Sequence, residues 1–230
     1  MITMGIYLAE RGLIPDVLLR LFIKRFSLSR LVEANNKERK MSVIDGLKTG
    51  PIAENTIDAN EQHYEVPADY FKAVLGPRLK YSCCWFDDES VSLGEAEIKM
   101  MESYLERAKI EDGQMILDLG CGWGSLSLFL AERFPNSAIY SVSNSNDQIE
   151  HIKNIAKEKN LENLHPEVQD VNSLNLNQQF DRVVSIEMFE HMRNYEALLQ
   201  KVKHLLKPDG LLFIHIFCHK ETAYLYEESG

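Results

Sequence analysis

Two carboxylates and an imidazole fall within five residues in Glu187-Met188-Phe189-Glu190-His191. A carboxylate beside a histidine raises the basicity of the imidazole and fixes its orientation. Such a pair can take a proton from an ammonium nucleophile, and carboxylates also attract a cationic amine. If the segment turns into a helix, Glu187 and His191 stand at i, i+4 on one face, with Glu190 beside them. Acidic residues at a helix N-terminus have a simpler reading, a favourable interaction with the helix dipole. That reading covers Glu187 and Glu190 but not the adjacent histidine in an apolar run.

A second stretch, Ile116-Leu117-Asp118-Leu119-Gly120-Cys121-Gly122-Trp123-Gly124, reads as strand, tight turn and helix start. Its glycines fall at i, i+2 and i+4, not at the i, i+2, i+5 spacing of a dinucleotide fingerprint. Free N–H groups at the start of the following helix face whatever lies in the turn. Asp118 precedes the first glycine by two residues and could accept hydrogen bonds from a cationic amino group. A carboxylate with a glycine turn suits a zwitterionic nucleoside better than a pyrophosphate, and S-adenosylmethionine (SAM) is the candidate. The alternative is a glycine-rich turn in some other α/β protein. Methyl transfer from a sulfonium is an in-line displacement that mainly requires a deprotonated nucleophile at close approach.

Alternating patterns surround these stretches. Strands are expected over 115–119, 138–142, 165–169, 180–186 and 211–217. Helices are expected over 93–108, 124–134, 146–159 and 195–206, the last stopped by Lys207-Pro208-Asp209-Gly210. The expected class is α/β, a doubly wound and mostly parallel sheet of Rossmann-like type. Right-handed crossovers place all strand C-terminal ends on one edge, where ligands bind. On that edge Ser143, Asn144 and Gln148 would meet ribose hydroxyls. Asp170 could accept from an adenine amino group and the Val171 N–H could donate to a ring nitrogen. Helix capping or loop solvation is the plainer reading of each.

The chain has 230 residues, 45% of them hydrophobic, and a net charge of −10. That length suits one α/β domain with an appendage, and the charge argues against nucleic acid as a partner. Residues 1–60 read as a helical N-terminal extension and linker, and 61–230 as the catalytic domain. Within the extension a helical pattern breaks at Pro15, and Asp16 could cap the basic amphipathic helix that follows. This helix either packs on the main domain or makes weak contact with a membrane surface. A homodimer stays open. No apolar run approaches about 18 residues, so no span is expected. Tyr81-Ser82-Cys83-Cys84-Trp85-Phe86 looks like either a pocket wall or simple burial. Four cysteines without paired metal spacing, and the lack of a signal peptide, point to reduced thiols in the cytoplasm and to no metal.

The sequence resembles a known family from about residue 11 onward. The likeness is carried by Gly12-Leu13-Ile14-Pro15-Asp16, Asn60-Glu61-Gln62-His63-Tyr64-Glu65-Val66-Pro67, Leu79-Lys80-Tyr81-Ser82-Cys83-Cys84 and the glycine turn, then by residues 185–192 and 215–220. It resembles the coclaurine N-methyltransferase branch of the cyclopropane-fatty-acyl-phospholipid synthase family, which are class I SAM-dependent methyltransferases. The resemblance implies that Tyr81 and Ser82 contact the methionine end of SAM. Gly120 and Gly122 pass beneath it, Asn144 and Gln148 hold the ribose region, and Asp170 and Val171 hold the adenine. In cyclopropane synthases the positions matching Cys83, Glu190 and His215 help hold a bicarbonate base, and a small residue stands at the position of Glu187. The amine methyltransferases have Glu there, and their positions matching Glu187 and His191 are the acid–base pair. The resemblance therefore implies N-methylation of a small, alkaloid-like amine. Methylene transfer to unsaturated acyl chains and a non-catalytic SAM-binding protein are the alternatives.

One departure stands out. The chain stops thirteen residues after Phe217, where members of the resembled family continue with further helices and closing strands. The expectation is a C-terminally truncated domain whose last strand is an exposed edge, and which binds SAM weakly and turns over poorly.

Overall fold

The computed structural model describes residues 2–33, 37–54 and 68–219. The motif at residues 60–67 lies outside the described residues. The chain forms two compact units, one of residues 1–46 with 219–230 and one of residues 47–218.

The described part of the first unit is helical: α1 (Ile2–Glu10), α2 (Asp16–Glu33) and α3 (Lys37–Gly46). Gly12 turns the chain at φ 67°. The carbonyl of Pro15 accepts from the N–H groups of Leu18 and Leu19 at 2.9 and 3.2 Å. Pro15 thus occupies the cap position, and Asp16 is the first residue of α2 rather than its cap, placed where a negative charge favours the dipole. No described helix is long and apolar enough to cross a membrane.

The second unit is built on five parallel strands in the order β3-β2-β1-β4-β5. These are β1 (Met115–Leu119), β2 (Ala138–Ser143), β3 (Leu164–Val168), β4 (Phe180–Ile186) and β5 (Leu206–His215). Its helices among the described residues are α4 (Ala68–Val74), α5 (Leu93–Ala108), α6 (Ser125–Arg133), α7 (Asn146–Glu158) and α8 (Tyr195–Leu205). The period of two along β1 divides the core. Ile116 packs with Met101, Leu130, Ile139, Ile152 and Val184 on one face. Leu117 and Leu119 pack with Val142, Phe180, Val183 and Leu198 on the other. Burying each such side chain contributes about 1.5–3 kcal/mol, which is why the most apolar strand lies at the centre.

Side chains cap the helices that lead to the site. Ser92 and Glu95 form a reciprocal capping box on α5. The Ser145 hydroxyl accepts from the Gln148 N–H at the start of α7, and Asn194 accepts from the Ala197 N–H at the start of α8.

The last strand begins earlier than its sequence suggests. Phe180 pairs with Leu206 and Arg182 with Leu211, so Lys207-Pro208-Asp209-Gly210 forms an irregularity opposite Asp181 rather than a loop before the strand. Pro208 has no N–H to give the ladder. Lys207 Nζ lies 2.7 Å from Asp181 Oδ2, and a side chain at Gly210 would meet the Phe180 carbonyl oxygen at 2.8 Å. β5 is one edge of the sheet and β3, which contains Pro166, is the other.

Candidate active site

The glycine turn is fixed by the neighbouring strand. The N–H groups of Gly120 and Cys121 both donate to the Val142 carbonyl, at 2.9 and 3.0 Å. Gly120 has φ 85°, and a Cβ there would lie 2.7 Å from Cγ of Met188. Gly122 has φ 52° and nothing within 4 Å of where its Cβ would stand. One glycine therefore admits a neighbouring side chain, and the other leaves open space above the turn. Trp123 is buried against Phe71, with ring centroids 5.0 Å apart. Phe71 in turn packs edge-on against the exposed Tyr81 at 5.3 Å. Trp123, to which sequence reasoning gave no role, ties the segment carrying Tyr81 and Ser82 to the glycine turn.

Asp118 is 2% exposed, and its Oδ2 accepts from the Ser127 hydroxyl at 2.6 Å. Burial raises its pKa to about 6, with the Ser127 hydrogen bonds acting in the opposite direction. At the end of β2, Ser143 donates to Gln148 Oε1 at 2.7 Å. Gln148 Nε2 is buried with no hydrogen-bond partner among the described residues. Asn144 directly precedes the Ser145 cap. After β3, Asp170 Oδ1 accepts from the Asn172 N–H at 2.7 Å and shapes a local turn, while Val171 packs against the second core face. A buried amide donor without a partner, beside an open glycine turn, fits a polar nucleoside lying along this edge.

The end of β4 corrects one expectation. Residues 187–191 are not a helix; a single 3₁₀ turn spans Phe189–His191 and is followed by extended backbone. Glu187 precedes it in the left-handed region at φ 51°. The helical i, i+4 argument for Glu187 and His191 therefore does not apply, and His191 is exposed. Long-range contacts decide the conformation. The Glu187 N–H donates to the His215 carbonyl at 2.7 Å, and Met188 fills the space beside Gly120. Glu190 Oε1 accepts from the Phe217 N–H at 3.4 Å, and its Oε2 is buried without a partner among the described residues.

The imidazole grouped with Glu187 is that of His215. Cys83 donates its N–H to Glu187 Oε1 at 3.1 Å, and its Sγ lies 3.7 Å from His215 Nε2. His215 Nδ1 is 2.8 Å from the Tyr104 hydroxyl. Lys80 Nζ, on a residue only 4% exposed, donates to that hydroxyl at 3.2 Å and to Ser82 Oγ. Burial lowers the Lys80 pKa against the opposing effects of Cys84, Cys83, Glu187 and Glu97. Burial raises the Tyr104 hydroxyl, with Cys83 and Glu187 adding to the rise. Burial also raises the Cys83 thiol, with Glu187 adding.

Sequence reasoning missed three of these groups. Tyr104 reads as an apolar helix position, and Lys80 carries no spacing signal. Glu97 is fully buried and accepts from the N–H groups of Arg78 and Lys80, at 3.1 and 3.3 Å. A side chain at Gly76 would come within 2.5 Å of the Glu97 carboxylate. Glu97 is thus the anchor of the segment that carries Tyr81, Ser82 and Cys83.

A doubly wound parallel sheet with its polar groups gathered at the strand ends defines a Rossmann-like protein of the class I methyltransferase type. The sequence model described as mycolic acid cyclopropane synthetase matches residues 53–229, and the chain belongs to that family. It is 40% identical over 225 residues to (S)-coclaurine N-methyltransferase of Thalictrum flavum subsp. glaucum, covering 95% of this chain and 62% of the relative. It is 40% identical over 181 residues to pavine N-methyltransferase of the same plant, covering 79% and 51%. A crystal structure of coclaurine N-methyltransferase bound to N-methylheliamine and SAH superposes with a TM-score of 0.91 at 38% identity, covering 98% of this chain and 67% of that one. The chain spans 62% of the length of the first of these relatives.

Proposed function

We propose that the second unit is the core of a SAM-dependent N-methyltransferase acting on a small secondary or tertiary amine of alkaloid type. The observation that carries this reading is the contact between the two motifs. Met188 packs so closely on Gly120 that no side chain fits there, so Glu187, one residue earlier, stands beside the glycine turn. The coclaurine and pavine N-methyltransferase relatives support the same choice of acceptor.

SAM, when bound, supplies a sulfonium methyl group open to in-line displacement. Tyr81 and Ser82 would hold its methionine end, with Asp118 beneath the turn toward its amino group. Gly120 and Gly122 would underlie it, Asn144 and Gln148 would hold the ribose, and Asp170 and Val171 the adenine. The Glu187 carboxylate draws in a cationic amine and takes its proton. The family resemblance implies exposed His191, at the end of the 3₁₀ turn, as its acid–base partner, and Glu190 is held by the Phe217 N–H. Removing the proton frees the nitrogen lone pair for attack at close range.

Methylene transfer to an unsaturated acyl chain is the second reading, favoured by the Cys83–His215 contact and by the family to which the chain belongs. Methyl release measured with a panel of secondary amines and, separately, with unsaturated phospholipid vesicles decides between them. Turnover on an amine supports the first reading, and turnover on vesicles alone overturns it. A cytoplasmic location is part of the proposal, supported by four free thiols. Weak membrane contact through α2 and a homodimer are proposed from the sequence alone. Vesicle co-sedimentation and light scattering test them.

A further inference from the structure

Cys83 Sγ, a Glu187 carboxylate oxygen and a His215 ring nitrogen all lie within 4.8 Å of one another. They come from three places that the sequence keeps far apart: the segment before α5, the corner after β4 and the end of β5. This separation is why cysteine spacing gave no metal signal. The Cys83–His215 distance suits a tetrahedral ion. With sulfur at about 2.3 Å and nitrogen at about 2.0–2.1 Å from zinc, the two ligand atoms stand about 3.6 Å apart. Cys83 Sγ and His215 Nε2 are 3.7 Å apart. Three protein ligands with a fourth position left for solvent is the composition of an open zinc site rather than a closed structural one. Thiolate and imidazole select zinc, cobalt or copper over magnesium and calcium.

The surrounding bonds already hold these groups in place. The Tyr104 oxygen, 2.8 Å from His215 Nδ1, can accept the Nδ1 proton and so leave the Nε2 lone pair facing Cys83. The Cys83 N–H on Glu187 Oε1 fixes the carboxylate. The Glu187 N–H on the His215 carbonyl joins two of the three ligands through the backbone. Partners of this kind orient metal ligands and set the histidine tautomer. The Lys80 ammonium behind Tyr104 opposes a second positive centre, which favours reversible binding over a permanent structural ion.

The geometry points to a reversible binding site for a zinc-class divalent cation at Cys83, Glu187 and His215, which shuts the enzyme off by taking the carboxylate needed by the amine. The inhibitory consequence rests on the amine-methylation reading; the binding itself does not.

The test is a titration of chelator-treated full chain with Co2+ as the spectroscopic probe. The expected result is a near-ultraviolet thiolate-to-cobalt absorption with tetrahedral-intensity visible bands, saturating at one equivalent and displaced by Zn2+. Cys83→Ser should abolish the near-ultraviolet band, while Cys84→Ser and Cys218→Ser should retain it. His215→Gln should weaken cobalt binding at least tenfold. A folded chain that shows no such band, or a band that survives Cys83→Ser, overturns the site. Zn2+ should suppress methyl release in the amine assay, and unchanged release at saturating Zn2+ overturns the inhibitory part. The cobalt spectra need no substrate, so a failed amine assay leaves the metal result standing, and the reverse also holds.

Discussion

Replacing Asp118 by asparagine should stabilise the protein in a strongly pH-dependent way. Asp118 is fully buried beneath the glycine turn, and burial lifts its pKa from 3.8 to about 6. A carboxyl whose folded pKa is raised contributes stability that is fully present below the unfolded value and lost as pH rises through the folded value. The window therefore runs from about pH 4 to pH 6. Above it the buried charge costs about 3 kcal/mol, at 1.36 kcal/mol per tenfold change in proton affinity. At pH 5 roughly half of that cost is already present. The asparagine side chain keeps an acceptor for the Ser127 hydroxyl but adds an NH2 group, and any penalty for leaving that group unpaired does not vary with pH. The pH slope is thus the readout. Urea unfolding of wild type and Asp118→Asn at pH 5 and pH 8 should show their stability difference moving by about 1.4 kcal/mol in favour of the variant at the higher pH. A difference independent of pH would refute the argument that burial dominates at this carboxylate.

Four further outcomes follow from the same contacts. SAM affinity should fall as pH drops through about 6, because a cationic amino group favours ionised Asp118; calorimetry at pH 5 and pH 7.5 with equal affinities would contradict this. Gly122→Val should cost about 1–2 kcal/mol for a side chain at φ 52° and lower SAM affinity at least tenfold, since it fills the open side of the turn; unchanged binding in a folded variant argues against that path. Glu187→Gly should lower amine turnover by about 10²-fold or more while leaving SAM affinity intact, and should favour an acyl acceptor; a rise in amine turnover refutes the assignment. Glu97→Gln should destabilise by about 1.5–3 kcal/mol through loss of charge-assisted bonds to Arg78 and Lys80, and a change under about 0.5 kcal/mol in thermal or urea unfolding sets that role aside.

Local patterns exposed the centre of the fold, and long-range contacts hid the edges of the site. The β1–turn–α6 unit is legible because an apolar run meets glycines at fixed spacing and then a helical period. β4 is legible as an apolar segment, and α7 as a helical pattern expected over 146–159. The corner at 187–191 is not, because Glu187 takes a left-handed conformation set by the His215 carbonyl and by Met188 against Gly120. The early start of β5 is masked by Lys207-Pro208-Asp209-Gly210, whose local chemistry says turn while the sheet draws Leu206 into register with Phe180. Tyr104 and His215 meet across 111 residues, and nothing in the helical period of α5 marks one of its aromatic positions as polar in purpose. Glu97 looks like one more surface acid until the backbone folds over it. The family resemblance supplied Cys83, Glu190 and His215 as a set; the fold groups Cys83 and His215 with Glu187, with Tyr104 behind them, while Glu190 Oε1 accepts from the Phe217 N–H.

The proposed activity stands or falls on whether the glycine turn and the Glu187 carboxylate act as one site. Methyl transfer from SAM to a secondary amine tests this most directly, measured for wild type and Glu187→Gln with SAM affinity determined by calorimetry on the same preparations. Equal SAM affinity is expected in both proteins, with turnover reduced by about 10²-fold or more in the variant. Equal turnover, or loss of SAM binding together with activity, would contradict it.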